Sequence, residues 1–324
     1  MKVVMIGGTG YLGYFSVREL VKAGHQVTAI GLPPAPEPGF LPDGVEVLLT
    51  DIATLPDDGL LKLLQGCDAL IFGGGADGRN TFPPPAIAGY RQANVTPMRR
   101  LIPLMQQAGC QRLVILGSYY TALNRTFPQL GIAARHPYVT SRLEQEQVAF
   151  ELAGDHLSVA ILELPYIFGA APHRGTLWGS YIKQIQDQED VAVPCGGTAC
   201  VTTHQVGRAV AAACERVVGH RHYAIVEDNL TYQQVYSLFA EALHLKRRFH
   251  PIPLETLLAA AQDQAEQLRS ATLVGGYDPI GMAEMQAATL YLDPMPAMEA
   301  LGYGPMDLAQ AIQDTVKATR SGPE

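Results

Sequence analysis

The sequence predicts an α/β protein: a Rossmann-type doubly wound parallel sheet with a smaller C-terminal substrate-binding cap. Three observations predict it. Short apolar runs alternate with helical patterns through the first 165 residues. Several of those runs lack any polar alternation, as strands buried on both faces of a parallel sheet do. A glycine-rich turn joins the first run to the first helix, the arrangement that opens a mononucleotide-binding unit.

The elements follow in order. Strands are predicted at 2–6, 26–30, 45–49, 69–72, 112–116 and 158–162. Helical spacing predicts helices at 11–23, 58–65, 94–108 and 138–153, with Gly24, Gly109 and Gly154 as stops. Strand–helix–strand units of this length imply right-handed crossovers. After Pro165 the chain becomes rich in Gly, Pro and His. Helices are predicted again at 205–217, 232–243, 254–268 and 308–316, with one strand at 223–226. The expected division is a dinucleotide-binding domain over 1–165, to which 205–227 returns, and a cap over 166–204 and 228–324.

The turn reads Gly7-Gly8-Thr9-Gly10-Tyr11-Leu12-Gly13. Gly7 permits the tight turn, Gly10 lets backbone approach a pyrophosphate, and Gly13 lets helix and strand pack closely. The helix start then offers unpaired N–H groups to phosphate. Gly7, Thr9, Gly10, Tyr11, Leu12 and Gly13 are therefore candidate cofactor contacts. An acid that holds the adenosine ribose is expected about 20 residues on. Here the second strand runs into Gly31-Leu32-Pro33-Pro34, and neither an acid nor a base stands there. The choice between NAD and NADP stays open. Asp51, followed by Ile52, is a candidate for the adenine amino group, or equally a turn cap.

Tyr138 and Arg142 lie one helical turn apart on one face. A cation beside a phenol favours the phenolate, and such a tyrosine can exchange a proton with a carbonyl or hydroxyl as hydride moves. Ser118 ends the fifth strand, where open α/β sheets bind ligands. Tyr119 follows it and competes for the same slot.

Composition narrows the partners. Thirty-one acidic against 23 basic residues give a net charge of −8, which argues against nucleic acid as a ligand. No apolar run reaches the ~18 residues of a membrane span, and the N-terminal run is too short for a signal peptide. The five cysteines make no paired framework and no complete metal set. No metal is expected, and a reduced, cytoplasmic setting fits.

Taken together these motifs resemble the extended short-chain dehydrogenases/reductases, the NAD-dependent epimerase/dehydratase group, over nearly the whole chain. Residues 7–13 resemble the family's glycine loop and Asp51 its adenine-contacting Asp. Asn94 falls at the Asn that begins a long helix in the family. The strand into Ser118 resembles the one leading to the catalytic Ser/Thr, and Tyr138 matches the catalytic tyrosine. Leu164-Pro165-Tyr166-Ile167-Phe168-Gly169 resembles the family's Pro-x-x-x-Gly turn, which adds Pro165 and Ile167 to the cofactor candidates. Ala300-Leu301-Gly302-Tyr303 resembles its C-terminal signature.

The resemblance implies hydride transfer between NAD or NADP and a secondary alcohol or carbonyl, and a homodimer through 94–108 and 138–153. Departures stand beside it. The family's lysine is Arg142 here, which holds a fixed charge and cannot relay protons. Gly73-Gly74-Gly75-Ala76 replaces the family's His-x-Ala-Ala after the fourth strand, where backbone can pass close to the cofactor phosphates and nicotinamide ribose. Glu163 stands where many relatives have Arg. Arg79, Tyr119, Tyr120, His173, Arg174 and Trp178 are candidate substrate contacts. These departures also leave room for an alternative, a cofactor-binding regulatory or assembly protein with little catalysis.

Overall fold

The computed structural model describes residues 1–321. The first part runs β1 (Lys2–Ile6), α1 (Tyr11–Lys22), β2 (Gln26–Gly31), β3 (Glu46–Leu49), α2 (Asp57–Leu64), β4 (Ala69–Phe72), α3 (Ile87–Asn94) and α4 (Thr96–Ala108). It continues through β5 (Arg112–Ser118), α5 (Tyr119–Thr126), α6 (Ile132–Arg135), α7 (Pro137–Ala153) and β6 (Ser158–Leu164). Then come β7 (Tyr166–Phe168), α8 (Gly179–Asp187), β8 (Asp190–Pro194), β9 (Gly197–Thr202), α9 (Thr203–Arg216), β10 (His220–Ala224), β11 (Asp228–Thr231) and α10 (Tyr232–Ala242). The rest is β12 (Arg248–Ile252), α11 (Leu254–Arg269), α12 (Pro279–Ala287), β13 (Thr289–Leu290), α13 (Met295–Leu301) and α14 (Leu308–Ser321).

Seven strands form one parallel sheet in the order β10-β6-β5-β4-β1-β2-β3. The order reverses between β1 and β4, so the crevice at their C-terminal ends is the switch point where such sheets bind ligands. One face packs Val3, Met5 and Val17 against Val206 and Val210, so α1 and α9 cover it. The other packs Val4, Leu70 and Phe72 against Met98, Ile102 and Val148, from α4 and α7. Burying each such large side chain stabilises by roughly 1.5–3 kcal/mol. A second sheet is centred on β9, with which β7, β11 and β13 all pair, and β8 pairs with β12. Phe168, Trp178, Ile182, Phe239 and Ile312 form its core.

Several elements differ from expectation, each for a physical reason. The helix expected over 94–108 is two helices that break at Val95, with Pro97 in the first turn of α4. Asn94 thus ends α3 rather than beginning a long helix. The strand expected at 223–226 lies at His220–Ala224, because β10 is an edge strand with exposed polar residues and no apolar run to mark it. The tyrosines after Ser118 open α5, for which Ser118 is the N-cap, its hydroxyl accepting from the Tyr120 N–H.

Candidate functional site

The glycine turn has the shape a pyrophosphate needs. Gly7 has a positive φ of 83°, and a Cβ there would lie 2.7 Å from the Gly73 carbonyl oxygen. A Cβ on Gly13 would lie 2.2 Å from the Gly7 oxygen. These two glycines therefore let α1 and the β4 end close in on β1. Gly10 differs: a Cβ there would meet only the Gly7 oxygen at 3.2 Å, so its outer side is open to a ligand. Gly10 is the N-cap of α1 and no side chain caps it, which leaves the first N–H groups of the helix for an anion. The residues fit a dinucleotide phosphate on this test. Across the switch point, Gly75 has a φ of 102° and lies against the Asn94 side chain. Asn94 Oδ1 accepts from the Ala76 N–H at 2.9 Å, and its Nδ2 donates to Ser141 Oγ at 3.1 Å. Asn94 thus joins the β4 loop to α7.

Helix α7 begins at Pro137, whose ring suits the first helical position. The Tyr138 N–H donates to the Gly276 carbonyl at 3.2 Å. Arg142 Nε donates to Tyr138 Oη at 3.3 Å, and Nη1 donates to Gln145 Oε1 at 2.7 Å. Gln145 Nε2 in turn donates to the Asn94 carbonyl. Arg142 is 6% exposed, and among the described residues no carboxylate pairs with it. Asp77 and Glu146 feel its charge at a distance, but its direct partners are neutral, which is costly for a buried cation and leaves a charge facing the phenol.

A strap over 274–278 covers this tyrosine. The Phe82 and Val274 backbones bridge, and the Gly276 N–H donates to the Gly78 carbonyl at 3.0 Å. Gly276 sits directly on Tyr138, since a Cβ there would lie 2.5 Å from the tyrosine's own. The Tyr277 ring stands edge-on to Tyr138 at 5.6 Å and beside Tyr120 at 5.4 Å. Tyr120 is pushed up to about 12 by burial, so it stays a neutral hydroxyl. His136 accepts the Asp278 N–H on Nδ1 at 2.9 Å, and burial pushes it down to about 4.

One turn beyond Arg142, a second polar cluster lies inside. Arg125 pairs with both Glu146 and Glu163, and Thr121 Oγ1 lies 2.5 Å from Glu163 and 2.8 Å from the Ser118 carbonyl. Burial, then the neighbouring Glu163, pushes Glu146 up to about 7, and burial raises Glu163. Ligand atoms of Glu146, Glu163 and His222 lie within 4.8 Å of one another, but Arg125 already balances the carboxylates.

The expected site residues separate into groups. Tyr138, Arg142 and Asn94 meet in one network, and residues 7–13 and 73–75 flank the switch point. Ser118 lies at the β5 end with no hydrogen bond to Tyr138 among the described residues. The Tyr119 hydroxyl accepts from Thr198 Oγ1 at 3.2 Å, so Tyr119 serves the β9 sheet and not the Ser118 slot. Trp178 donates Nε1 to the Ile167 carbonyl and stacks on Phe168 at 4.6 Å, which makes it cap core. Pro165 is buried and Ile167 half-buried where β7 begins. Asp51 is exposed and caps the Ala53 N–H, and Ile52 beside it is half-buried. Arg79 is exposed and pairs with Asp77. His173 is exposed with a positive φ of 54°. Arg174 reaches back to the Thr9 carbonyl in the glycine turn. Sequence reasoning missed Gln145 and the Gly276-Tyr277 strap. The Gly275-Gly276 pair after a long helical pattern was the available signal.

Comparisons with known proteins place the chain in a family and give its fold relatives. The model of the NAD dependent epimerase/dehydratase family matches residues 3–225. A 2-alkyl-3-oxoalkanoate reductase of Stenotrophomonas maltophilia is 29% identical over 173 residues, 51% of this chain and 49% of that protein. A dTDP-6-deoxy-L-talose 4-dehydrogenase (NAD(+)) of Aggregatibacter actinomycetemcomitans is 23% identical over 188 residues, 56% of this chain and 67% of that one. The chain thus spans about half the length of the first of these relatives. A nucleoside-diphosphate-sugar epimerase from Pseudomonas aeruginosa superposes with a TM-score of 0.72 at 20% identity, covering 99% of this chain and 97% of that one. A UDP-glucuronic acid 4-epimerase from Bacillus cereus, solved with UDP-glucuronic acid and NAD, gives 0.71 at 14% identity, covering 99% of both chains. At these identities the likeness is one of fold. Among the described residues no helix is long and apolar enough to cross a membrane.

Proposed function

The chain belongs to the NAD dependent epimerase/dehydratase family, and on that premise we propose that it is an enzyme moving hydride between bound NAD or NADP and a secondary alcohol or carbonyl. The observation that carries this reading is the buried Tyr138–Arg142 pair, a phenol held by a cation that has no carboxylate partner. When bound, the nicotinamide gives or takes the hydride. Tyr138 Oη passes the matching proton to or from the substrate oxygen. Arg142 steadies the nicotinamide ribose, and Ser118 orients the substrate oxygen at the β5 end. Gly7, Gly10 and Gly13 seat the pyrophosphate. Residues 166–204 and 228–324 form the substrate-binding cap in this reading. Net reduction, epimerisation and dehydration share this step, and the names of the two curated relatives favour a net redox reaction. The proposal includes a cytoplasmic setting, which suits five free thiols, and a homodimer through α4 and α7, which light scattering tests.

The main test is turnover. Wild type and Tyr138→Phe are incubated with NADH or NADPH and a panel of carbonyl compounds, following nicotinamide absorbance. Wild type is expected to turn over, and the variant to lose about 10²–10⁴-fold in kcat with dinucleotide affinity retained. Dinucleotide binding with no oxidation, reduction or epimerisation by wild type would leave the reading of a non-catalytic binding protein in its place.

A further inference from the structure

Strand β2 ends at Gly31 and is followed by Leu32, which is 63% exposed. A dinucleotide whose adenosine ribose carries a free 2′-hydroxyl is usually held at this point by a carboxylate, and none is present. The ground above the strand end is filled instead by Thr9, which is buried, with its hydroxyl against Gly31. Into the same corner comes a cation from far along the chain. Arg174 Nη2 donates to the Thr9 carbonyl at 2.6 Å. Its guanidinium lies 5.0 Å over the ring of Phe40, in the loop after β2, and that ring is buried against Tyr14.

The loop that carries Arg174 is built to hold it there. Its root is tied to α1 by the Tyr11 hydroxyl, which donates to the Gly169 carbonyl at 2.8 Å, and to α14 by Thr315. His173 takes a left-handed backbone conformation, φ 54°. That conformation is costly for a residue with a side chain and is kept where the surroundings impose it. It turns the chain so that Arg174 points back across the glycine turn. The same loop walls a cavity of about 910 Å³ with Tyr14, Phe15 and His204.

Arg174 is under-used in this position. One of its five N–H donors is spent on a carbonyl, its buried Nε has no partner, and no described carboxylate pairs with it. Guanidinium groups with free forked donors and an aromatic face behind them suit phosphate. Resting on the reading of a dinucleotide site above, we propose that Arg174 reads the 2′-phosphate of NADP(H). The chain then prefers NADP(H) over NAD(H), with the selecting cation supplied by the loop after β7 instead of by the end of β2.

Calorimetric titration of the full chain with NADP⁺ and NAD⁺, and with adenosine 2′,5′-bisphosphate and AMP as fragments, tests this without turnover. Wild type is expected to bind NADP⁺ at least about tenfold tighter than NAD⁺. Arg174→Gln should weaken NADP⁺ and the bisphosphate by about 10–100-fold, the range of a charged hydrogen bond. NAD⁺ and AMP should change by less than about threefold on the same scale. A second variant, Leu32→Asp, places an acid on an exposed site where folding is indifferent to it. It should shift the preference toward NAD⁺ even with Arg174 present. Equal losses for both dinucleotides in Arg174→Gln would make this arginine a pyrophosphate or structural contact and overturn the proposal. So would a wild type that favours NAD⁺ or binds both alike, while leaving the hydride-transfer reading intact. Binding of neither dinucleotide would remove that reading as well.

Discussion

Helix α7 carries two buried polar clusters one turn apart, and they are built on opposite terms. In the first, Arg142 is almost wholly buried, hydrogen-bonds only to a phenol and an amide, and meets Asp77 and Glu146 only through space. In the second, Arg125 is 41% exposed and is tied by two buried carboxylates. A cation balanced by carboxylates offers little net charge to a ligand. A buried cation without one is an energetic liability that an incoming group can relieve. On the function proposed above, the difference separates a site from a strut where residue types alone do not.

The widest expected contrast comes from removing each guanidinium in turn. Arg142→Leu should leave the melting temperature unchanged or raised, because a buried charge with no directly paired carboxylate is removed. Its kcat/KM should fall by about 100-fold or more, equivalent to roughly 3 kcal/mol. Arg125→Leu should do the reverse. It strands Glu146 and Glu163 together and should cost about 2 kcal/mol of stability, below the full value for a buried pair because Arg125 is partly in water. Chemical denaturation and steady-state kinetics on both variants check this. If Arg142→Leu unfolds more readily than Arg125→Leu, the comparison is wrong.

A smaller effect distinguishes the clusters by pH. Burial and the neighbouring Glu163 hold Glu146 up to about 7, against an ordinary 4.5. The folded protein thus binds this proton more tightly than the unfolded chain. The stability it contributes is complete below about 4.5 and disappears as pH rises through about 7. Glu146→Gln should therefore be more stable than wild type by on the order of 2 kcal/mol at about pH 8, with the gap closing near pH 5. His136 runs the other way. Its imidazole is held neutral, down to about 4, so its contribution is lost only as pH falls toward that value. Thermal melts across this range read both slopes, and a Glu146→Gln curve parallel to wild type would mean that Glu146 is not held protonated in the fold.

The same contrast explains what was legible in the sequence. The strands from β1 to β6 read well because burial on both faces writes them as apolar runs. Tyr138 and Arg142 were visible because a helix brings i and i+4 together. Their supports were not. Gly276 reaches Tyr138 across more than a hundred residues, and no local pattern encodes that contact. Glu163 stood out as a departure from the family, yet its partners Arg125, Glu146 and His222 come from three other elements. The cap strands β8, β9 and β12 were missed since each is short and flanked by Gly or Pro. The contact of Arg174 was illegible for a similar reason: sequence proximity to Gly169 suggests a substrate loop, while the fold also brings its guanidinium to the Thr9 carbonyl.

The smallest predicted effect concerns the one hydroxyl that links the second cluster to the β5 end. Thr121 has a single proton and two acceptors, the Ser118 carbonyl at 2.8 Å and Glu163 at 2.5 Å. With Glu163 protonated, its carboxyl donates to Thr121 and Thr121 donates to Ser118, so every group is satisfied. With Glu163 ionised, Thr121 must turn to the carboxylate and the carbonyl loses it. The hydroxyl is therefore worth about two hydrogen bonds at low pH and one at high pH, each roughly 1 kcal/mol. Thr121→Val should cost about 2 kcal/mol where Glu163 is protonated and about 1 kcal/mol where it is ionised, so its cost falls as pH rises. Denaturation midpoints across a pH series measure it. A cost that does not change with pH would mean that Glu163 stays ionised throughout, and that Arg125 outweighs burial in setting its charge.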